Sequence, residues 1–175
     1  MTTDRVYLDA CCLIEGLKGK LGISSAHDAM EVDAIQRLLR AGRDGALDVF
    51  TSMVSVAEVL YVDKDEKPPS DETKRLIERF LLSGRDGIKL VSLQPDTALK
   101  ARDLAWEHGI YSKSIDMIHV ASAIQCKAKE LLTLDGRLSK KLDRVEVMGC
   151  KLLSAKETKL IPDDYKSDDL FGQKK

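Results

Sequence analysis

The sequence predicts an α/β domain of three layers, in which helices cover both faces of a central, mainly parallel sheet. Short runs rich in β-branched residues alternate along the chain with longer segments of helical periodicity. The predicted strands are apolar almost throughout, as strands covered on both faces should be. A length of 175 residues suits one such domain with a single core.

Two strands and three helical segments are predicted in the first third of the chain. In order they are a strand at 5–10, a helical turn at 11–17, a helix from about 25 to 42, a strand at 46–51 and a buried helix at 52–62. Ser25 with Asp28 resembles an N-cap and its third-position acid, and Gly42 lies where the apolar period ends. The stretch 18–25 is small and polar, so we expect a loop there.

The rest of the chain continues the same alternation. The predicted elements are a helix capped by Ser70, a strand at 88–93, a helix with Pro95 in its first turn, a helix at 114–129, a strand at 131–134, a short helix near 137–142 and a strand at 144–153. The final residues are mostly polar. We therefore expect one domain at 1–155, followed by a loose polar tail at 156–175.

Charge and hydropathy argue against a secreted protein and against a membrane-spanning one, and they limit how nucleic acid could be bound. The net charge of −1 means that nucleic-acid binding would need a local basic patch rather than a global field. Asp4, Arg5 and Asp9 lie within the first residues, which is unlike the apolar core of a secretory signal. No apolar run approaches the ~18 residues that span a bilayer. We therefore expect a cytoplasmic protein that does not bind a membrane.

The four cysteines, Cys11, Cys12, Cys126 and Cys150, do not predict a zinc site. They form no C-x-x-C pair, and no histidine lies at finger-like spacing from a cysteine. We expect them to be small buried hydrophobic side chains.

Two acidic residues directly follow predicted strands. Asp9 comes after "VYL" and Asp135 after "LLTL", and ligand sites of open parallel sheets gather beyond the carboxyl ends of the strands. Asp116 lies in the first turn of a helix, with Ser114 as its expected cap. We expect this helix to begin at the opposite edge of the sheet, because it leads into a strand. Strand geometry alone therefore does not bring Asp116 to the other two acids.

Glu58 lies in a helical segment that is otherwise apolar. Thr51, Ser55 and Glu58 follow i, i+4, i+7 spacing, so they form one polar stripe. The residues around Glu58 are mainly valine, alanine and leucine. A solvated charged face is therefore poorly supported for this acid.

Three of the acids also have ordinary structural explanations. Asp116 would complement a helix dipole, and Asp9 would cap the helical turn that follows it. Asp135 precedes a glycine, which is a common turn signal. However, four acids in apolar surroundings with no nearby basic partner would be costly as isolated charges. A shared divalent cation such as Mg²⁺ or Mn²⁺ would resolve this cost, because hard ions take oxygen ligands.

In their order along the chain, these residues resemble the PIN-domain nucleases, in particular the VapC-type toxins. The matching segments are Asp9 at the end of the first strand, "SVAE" ending at Glu58, "DMIHVA" starting at Asp116 and "LTLD" ending at Asp135. The resemblance extends over about residues 6–153. It implies a PIN-like fold, in which the start of the helix carrying Asp116 comes to the same edge as the strand ends.

The resemblance further implies metal-dependent endoribonucleolytic cleavage with Mg²⁺ or Mn²⁺ as cofactor. Asp9, Glu58 and Asp116 would be the core metal ligands, and Asp135 a fourth acid. Thr133 matches a hydroxyl position that supports the site, and Ser55 on the polar stripe is a second supporting hydroxyl.

Two features near these acids bear on the chemistry. The family usually has hydroxyl or amide residues after the first Asp, whereas this sequence has "DACCL". We expect this change to remove hydrogen bonds that support the acid, and so to lower the efficiency of the site. His119, one turn after Asp116, is interpreted as an orienting or core histidine rather than a general base.

Basic residues flank two of the acids. Lys113 precedes Asp116, and "RLSKKLDR" places Arg137, Lys140 and Lys141 beyond Asp135. A solvated helix face would also explain such a cluster. Beside an acidic metal site, these residues would bind the phosphate backbone of RNA.

Three functions remain open at this stage. The first is a ribonuclease acting as the toxin of a toxin–antitoxin pair, with RNA, a cognate antitoxin and a second copy of the chain as partners. The second is a catalytically weak PIN fold that binds RNA or protein. The third is a phosphatase or phosphoryl-acceptor domain with Asp9 as nucleophile, although the D-x-D pattern of such proteins is replaced here by "DAC".

Overall fold

A computed structural model describes residues 3–139 and 148–166. The strands are β1 (Arg5–Leu8), β2 (Asp48–Ser52), β3 (Ile88–Val91), β4 (Glu130–Leu132) and β5 (Lys151–Leu153). The helices are α1 (Ala10–Leu21), α2 (Ala29–Arg43), α3 (Val54–Glu58), α4 (Asp71–Leu82), α5 (Pro95–Trp106), α6 (Ser114–Gln125) and α7 (Gly136–Ser139). Two short 3₁₀ helices follow at Ala155–Glu157 and Asp163–Tyr165.

Within these residues the five strands form one parallel sheet. Its order is β3-β2-β1-β4-β5, and every pair of neighbours is parallel. β1 is central, since Tyr7 pairs in register with Phe50 of β2 and with Leu131 of β4. The predicted α/β fold with a central parallel sheet is therefore confirmed. All carboxyl ends share one edge, so the residues that follow β1 and β4 meet there.

The two faces of the sheet pack against different helices. Val6 and Leu8 of β1 join a core that includes residues of α1, α2 and α4. Tyr7, between them, joins a second core with residues of α5 and α6. This alternation reflects the period of two of a β-strand. All three side chains are fully buried, so β1 is covered on both faces, as its apolar sequence predicts.

The direction of α6 follows from a contact of the residue just beyond its end. Arg5 Nη1, at the start of β1, donates to the Cys126 carbonyl just beyond α6 (2.9 Å). α6 therefore ends at the amino edge of the sheet and begins at the carboxyl edge. The expectation of the opposite edge is wrong, because a helix that leads into a parallel strand must end where that strand begins.

The helix that carries Glu58 is much shorter than predicted. α3 covers only Val54–Glu58, and the chain leaves helical geometry at Val59 (φ −79°, ψ 70°). Leu60 is 65% exposed, whereas Val59 and Val62 are buried. The apolar residues of 52–62 therefore do not form one buried helix, and Glu58 lies at a helix end.

Side-chain capping explains how two other helices begin. α2 begins after Asp28, whose Oδ1 accepts from the Met30 N–H (2.9 Å). Ser25 does not cap it, because its hydroxyl accepts from the His27 N–H (2.9 Å) in a turn just before the helix. Ser70 caps α4 as predicted, accepting from Thr73 N–H (3.2 Å).

Other predicted bounds differ by a few residues from the observed ones. α1 continues through the predicted loop to Leu21, and β4 begins at Glu130. Of the predicted strand at 144–153, only 148–153 lies within the described residues, and β5 covers its last three. Residues 140–142 of the predicted short helix also lie outside the described ranges.

The segment after β5 packs onto the domain as far as residue 166, which differs from the expected loose tail. Ala155 is fully buried, and Leu160 and Ile161 pack against the core around α1 and α2. Arg37 of α2 donates through Nη1 to the Tyr165 carbonyl (2.7 Å). Apolar side chains spaced among the polar ones anchor this segment.

In the described part of the chain, no helix is long and apolar enough to cross a bilayer.

Candidate active site

A cavity of about 240 Å³ lies at the carboxyl edge of the sheet. It brings together the four acids that the sequence singled out, three from the ends of β1, β4 and α3 and one from the start of α6. Its lining residues are Asp9, Ala10, Cys11, Glu58, Lys113, Ile115, Asp116, His119, Asp135 and Leu138.

Asp9 is the most buried of the four acids, at 7% exposed. It is the N-cap of α1, and its Oδ1 accepts from the Cys12 N–H (3.1 Å). Its Oδ2 accepts from the Thr133 hydroxyl. Asp9 therefore caps a helix, as its ordinary explanation proposes, and also faces the cavity.

Cys11 supplies the hydrogen bond that we expected the sequence "DACCL" to remove. Its thiol donates to Asp9 Oδ1 (2.7 Å), and its sulfur accepts from the Leu134 N–H (3.1 Å). Cys11 is therefore half-buried and polar in function, which corrects the expectation of a small buried hydrophobic side chain. The thiol takes the role of the usual hydroxyl because its Sγ reaches the carboxylate from two residues after the acid.

Both thiols beside Asp9 favour the protonated form. A hydrogen bond with Cys12 lowers the pKa of the Cys11 thiol, but burial and the charge of Asp9 outweigh it, so the net pKa is raised. Burial raises the pKa of the Cys12 thiol well above its ordinary value. The ligand atoms of Asp9, Cys11 and Cys12 lie within 4.8 Å of one another. Protonated thiols are poor metal ligands, so this cluster suits hydrogen bonding better than soft-metal binding.

Thr133 connects the acids at the ends of β1 and β4. Its hydroxyl donates to Asp9 Oδ2 and accepts from the Asp135 N–H (3.0 Å). Thr133 is 2% exposed, so this hydroxyl is held in place by its surroundings. Thr133 therefore holds Asp9 and the backbone of Asp135, and its supporting role in catalysis stays a prediction.

Asp116 reaches the cavity because α6 begins at the carboxyl edge. Its Oδ2 accepts from the Ser112 hydroxyl (2.6 Å) and from the Lys113 N–H (3.3 Å). Lys113, not Ser114, is the N-cap of α6, and the carboxylate satisfies its backbone N–H. Asp116 therefore stabilises the helix start while lining the cavity, and both of these bonds use the same oxygen.

Glu58 has a partner that the sequence did not reveal. His119 Nε2 lies 2.6 Å from Glu58 Oε2, and His119 Nδ1 lies 2.7 Å from the Tyr7 hydroxyl oxygen. His119 is 3% exposed and the Glu58 side chain is 27% exposed. The premise that none of the four acids has a basic neighbour is therefore wrong for Glu58. Both ring nitrogens of His119 contact side chains, as the predicted orienting role requires and a free general base would not.

Tyr7 was not singled out by sequence reasoning. Burial, and then the charge of Asp9, raise the pKa of its phenol well above the ordinary value. The signal that could have identified it is one phenolic hydroxyl in an apolar strand, two residues before Asp9. A fully buried hydroxyl must find a hydrogen-bond partner inside the protein.

Ser55 hydrogen-bonds to a neighbouring hydroxyl and anchors α3 to the sheet. Thr51 Oγ1 lies 2.7 Å from Ser55 Oγ and donates to the Leu8 carbonyl (2.8 Å). These bonds attach α3 to β2 and β1, so they help to fix the position of the Glu58 backbone at the end of α3.

The predicted RNA-binding residues are only partly described. Lys113 is exposed and lines the cavity beside Asp116. The backbone of Arg137 lies in α7, next to Asp135. Lys140 and Lys141 lie outside the described residues.

The PIN domain family model matches residues 6–143. Because this match covers most of the chain, the protein belongs to the PIN domain family, and the resemblance drawn from the four acidic motifs is confirmed. PIN domains are generally nucleases, and they usually use a divalent metal ion. The four carboxylates that line the cavity offer the oxygen ligands that hard divalent cations prefer. Among the described residues, Asp9, Cys11 and Cys12 are the only group of three whose ligand atoms all lie within 4.8 Å of one another, so a shared ion would draw the carboxylates closer together than they are here.

Two solved structures share this fold. One is that of FitAB bound to an IR36 DNA fragment, with 17% identity, a TM-score of 0.55, and coverage of 88% of this chain and 97% of that chain. The other is FitAcB from Neisseria gonorrhoeae, with 19% identity, a TM-score of 0.51, and coverage of 87% and 99%. At these identities the likeness shows the fold alone. No curated protein matches the sequence.

Proposed function

We propose that this protein is a metal-dependent endoribonuclease that cleaves RNA phosphodiester bonds as the toxin of a toxin–antitoxin pair. The observation that carries the proposal is the convergence of four carboxylates on one cavity. They come from separate positions in the chain, and the fold brings them to one edge of the sheet. A purely structural role would not require them to meet.

The carboxylates would hold Mg²⁺ or Mn²⁺, with Asp9, Glu58 and Asp116 as the core ligands. Asp135, on the other side of Thr133, would be the fourth acid. Such an ion supplies an activated water and stabilises the charge that develops on the scissile phosphate. The protein contributes fixed ligands. The contacts of Thr133 and Cys11 hold Asp9, and those of Ser112 hold Asp116.

Basic side chains beside the cavity would bind the RNA backbone. Lys113 is exposed at the cavity wall, so its ammonium group can reach a phosphate near the carboxylates. Arg137, Lys140 and Lys141 follow Asp135 along the chain and would extend this contact. Phosphate contacts position the strand without reading its bases.

The toxin role follows from the resemblance of the four acidic motifs to the VapC-type toxins, and the fold that this chain shares with FitAB and FitAcB is compatible with it. We infer that a cognate antitoxin would bind this chain, and that two copies would form a homodimer. A ribonuclease of this kind would act in the cytoplasm, where its RNA substrates are.

One observation favours a second candidate, a catalytically weak PIN fold that binds RNA or protein. The potential ligand atoms that lie within 4.8 Å of one another around Asp9 are the thiols of Cys11 and Cys12 rather than further carboxylates. If the thiols weaken metal binding, the domain would still bind RNA through its basic residues. Metal-dependent cleavage separates this candidate from the nuclease.

The test is cleavage of single-stranded RNA with Mg²⁺, with Mn²⁺ and with EDTA. We expect cleavage only with metal, and a loss of at least ~10²-fold in the Asp9→Asn and Asp116→Asn variants, given what metal activation of water supplies. Asp164→Asn, an exposed acid outside the cavity, is the matched control and should cleave like the wild type. Undiminished activity in EDTA would refute the metal mechanism. RNA binding without cleavage would favour the binding module.

A further inference from the structure

Three side chains form a continuous hydrogen-bonded chain from the core to the cavity. Tyr7 of β1 is fully buried, and its hydroxyl oxygen lies 2.7 Å from His119 Nδ1. The other ring nitrogen of His119, Nε2, lies 2.6 Å from Glu58 Oε2. The chain therefore connects the central strand, through α6, to the carboxylate at the end of α3.

The chemistry of the three groups determines where the protons lie. An ionised carboxylate only accepts hydrogen bonds, so His119 Nε2 must be the donor to Glu58. A neutral imidazole has one N–H, which leaves Nδ1 as an acceptor. The Tyr7 hydroxyl then has to donate to Nδ1. A phenylalanine at this position would leave Nδ1 without that donor, so only the bond to Glu58 would orient the ring of His119.

Glu58 needs an external restraint more than the other acids do. Asp9 and Asp116 have short side chains held by backbone N–H groups at helix starts. Glu58 is longer, lies at the last residue of a five-residue helix, and is followed by an exposed Leu60. Ordering such a side chain costs rotamer entropy, which a fixed hydrogen-bond donor offsets.

We propose that Tyr7 and His119 are positioning residues for Glu58: the Tyr7 hydroxyl fixes the His119 ring through Nδ1, and the Nε2–H of that ring holds the Glu58 carboxylate at the cation site. The inference rests on the proposed metal-dependent nuclease. It assigns the function of a buried tyrosine that touches no substrate. The arrangement is that of an outer hydrogen-bond partner, which commonly sets the tautomer and orientation of groups at a metal site.

A simpler explanation is that the two bonds only satisfy buried polar groups. It predicts that removing the Tyr7 hydroxyl lowers the melting temperature and does nothing else. The positioning role predicts, in addition, a lower affinity for the cation. The affinity therefore distinguishes the two explanations, and the NMR spectrum of His119 tests the two hydrogen bonds themselves.

The tautomer is measured by long-range ¹H–¹⁵N NMR of the histidine rings, without added metal. The chain has three histidines, and His119→Gln assigns the resonances of His119. We expect the Nε2–H tautomer in the wild type, and a changed ¹⁵N shift of Nδ1 in Tyr7→Phe, where this nitrogen loses its donor. Tyr111→Phe, at an exposed tyrosine, is the matched control and should leave the spectrum of His119 unchanged. An Nδ1–H tautomer or an imidazolium in the wild type, or an unchanged Nδ1 shift in Tyr7→Phe, would overturn the proposal.

The affinity is measured from the rise in melting temperature with Mn²⁺ concentration. We expect Tyr7→Phe to raise the half-saturating concentration roughly 10-fold, within the 10–100-fold range for outer partners of metal ligands. His119→Gln, which keeps an N–H donor, should lose less affinity than His119→Ala, so the comparison does not depend on Tyr7→Phe alone. Equal affinity in Tyr7→Phe and Tyr111→Phe would refute the positioning role.

The two experiments also separate this inference from the proposed function. If the wild type neither binds Mn²⁺ nor cleaves RNA, the nuclease proposal fails, and the role at a cation fails with it. If the wild type does both and Tyr7→Phe matches it in the Nδ1 shift and in affinity, only the positioning role is refuted.

Discussion

At the scale of single residues, hydrogen bonds fix the carboxylates that would hold a cation in the cavity. Asp9 illustrates this best, because two donors at the start of α1 and one from Thr133 fix both of its oxygens. One of these donors is the Cys11 thiol. A cysteine two residues after the acid therefore provides a hydrogen bond that the sequence suggested would be missing.

Cys11 gives the first residue-scale prediction. Cys11→Ser keeps a donor for Asp9, whereas Cys11→Ala removes it and leaves the Leu134 N–H without its acceptor. We expect Cys11→Ala to raise the half-saturating Mn²⁺ concentration for RNA cleavage by roughly 10-fold, and Cys11→Ser to stay close to the wild type. Cys126→Ala, at the other edge of the sheet, is the control for removal of a thiol. If Ala and Ser at position 11 behave alike, the Cys11–Asp9 hydrogen bond has no part in metal binding.

At the scale of elements, the start of α6 would combine a structural role with the proposed functional one. Asp116 accepts from Ser112 and from the Lys113 N–H, so it caps the helix, and it also lines the cavity. The two roles oppose each other in the metal-free protein. Capping stabilises the fold, whereas carboxylates that share one cavity repel each other.

Thermal melting of Asp116→Asn measures which role dominates. Asparagine keeps one acceptor oxygen for the helix start and removes a negative charge at nearly constant volume. We expect a higher melting temperature in EDTA, by about 2–4 °C for each kcal/mol of repulsion relieved, and a smaller increase with Mn²⁺ than in the wild type. Asp103→Asn, on the outer side of α5, is the control for removal of one charge. A lower melting temperature in EDTA together with no response of either protein to Mn²⁺ would leave only the capping role.

At the scale of the whole molecule, charge determines how RNA would be bound. The net charge of −1 supplies no attraction over the surface as a whole. The cavity itself is lined by four acids and one lysine. The proposed RNA binding would therefore depend on local basic residues near the cavity and on a cation inside it.

The double variant Lys140→Ala, Lys141→Ala tests this dependence. We expect weaker binding to every RNA sequence, and a log–log salt slope that is shallower by about 0.7 for each phosphate of a single strand that the variant no longer neutralises. The double variant Lys129→Ala, Lys151→Ala removes the same charge at the amino edge of the sheet and should leave the slope unchanged. A changed cleavage-site preference with an unchanged slope would show that these lysines read bases instead.

The sequence by itself determined the order of the elements and the identity of the four acids. Apolar, β-branched runs such as "VYL" and "LLTL" are local signals, and each places an acid directly after a strand. Parallel strands then bring their carboxyl ends to one edge whatever the details of packing. The family motifs are equally local, which explains why the family resemblance could be drawn from residues alone.

Only the tertiary structure decided how these acids are held. The pairs His119–Glu58, Tyr7–His119 and Thr133–Asp9 join residues that are at least 61 positions apart in sequence. No periodicity encodes such contacts, because they depend on how α6 and β4 pack against β1. The length of α3 and the packing of 154–166 also depend on tertiary contacts. Packing against other elements decides which of their apolar residues are covered. A local pattern of apolar residues does not contain that information.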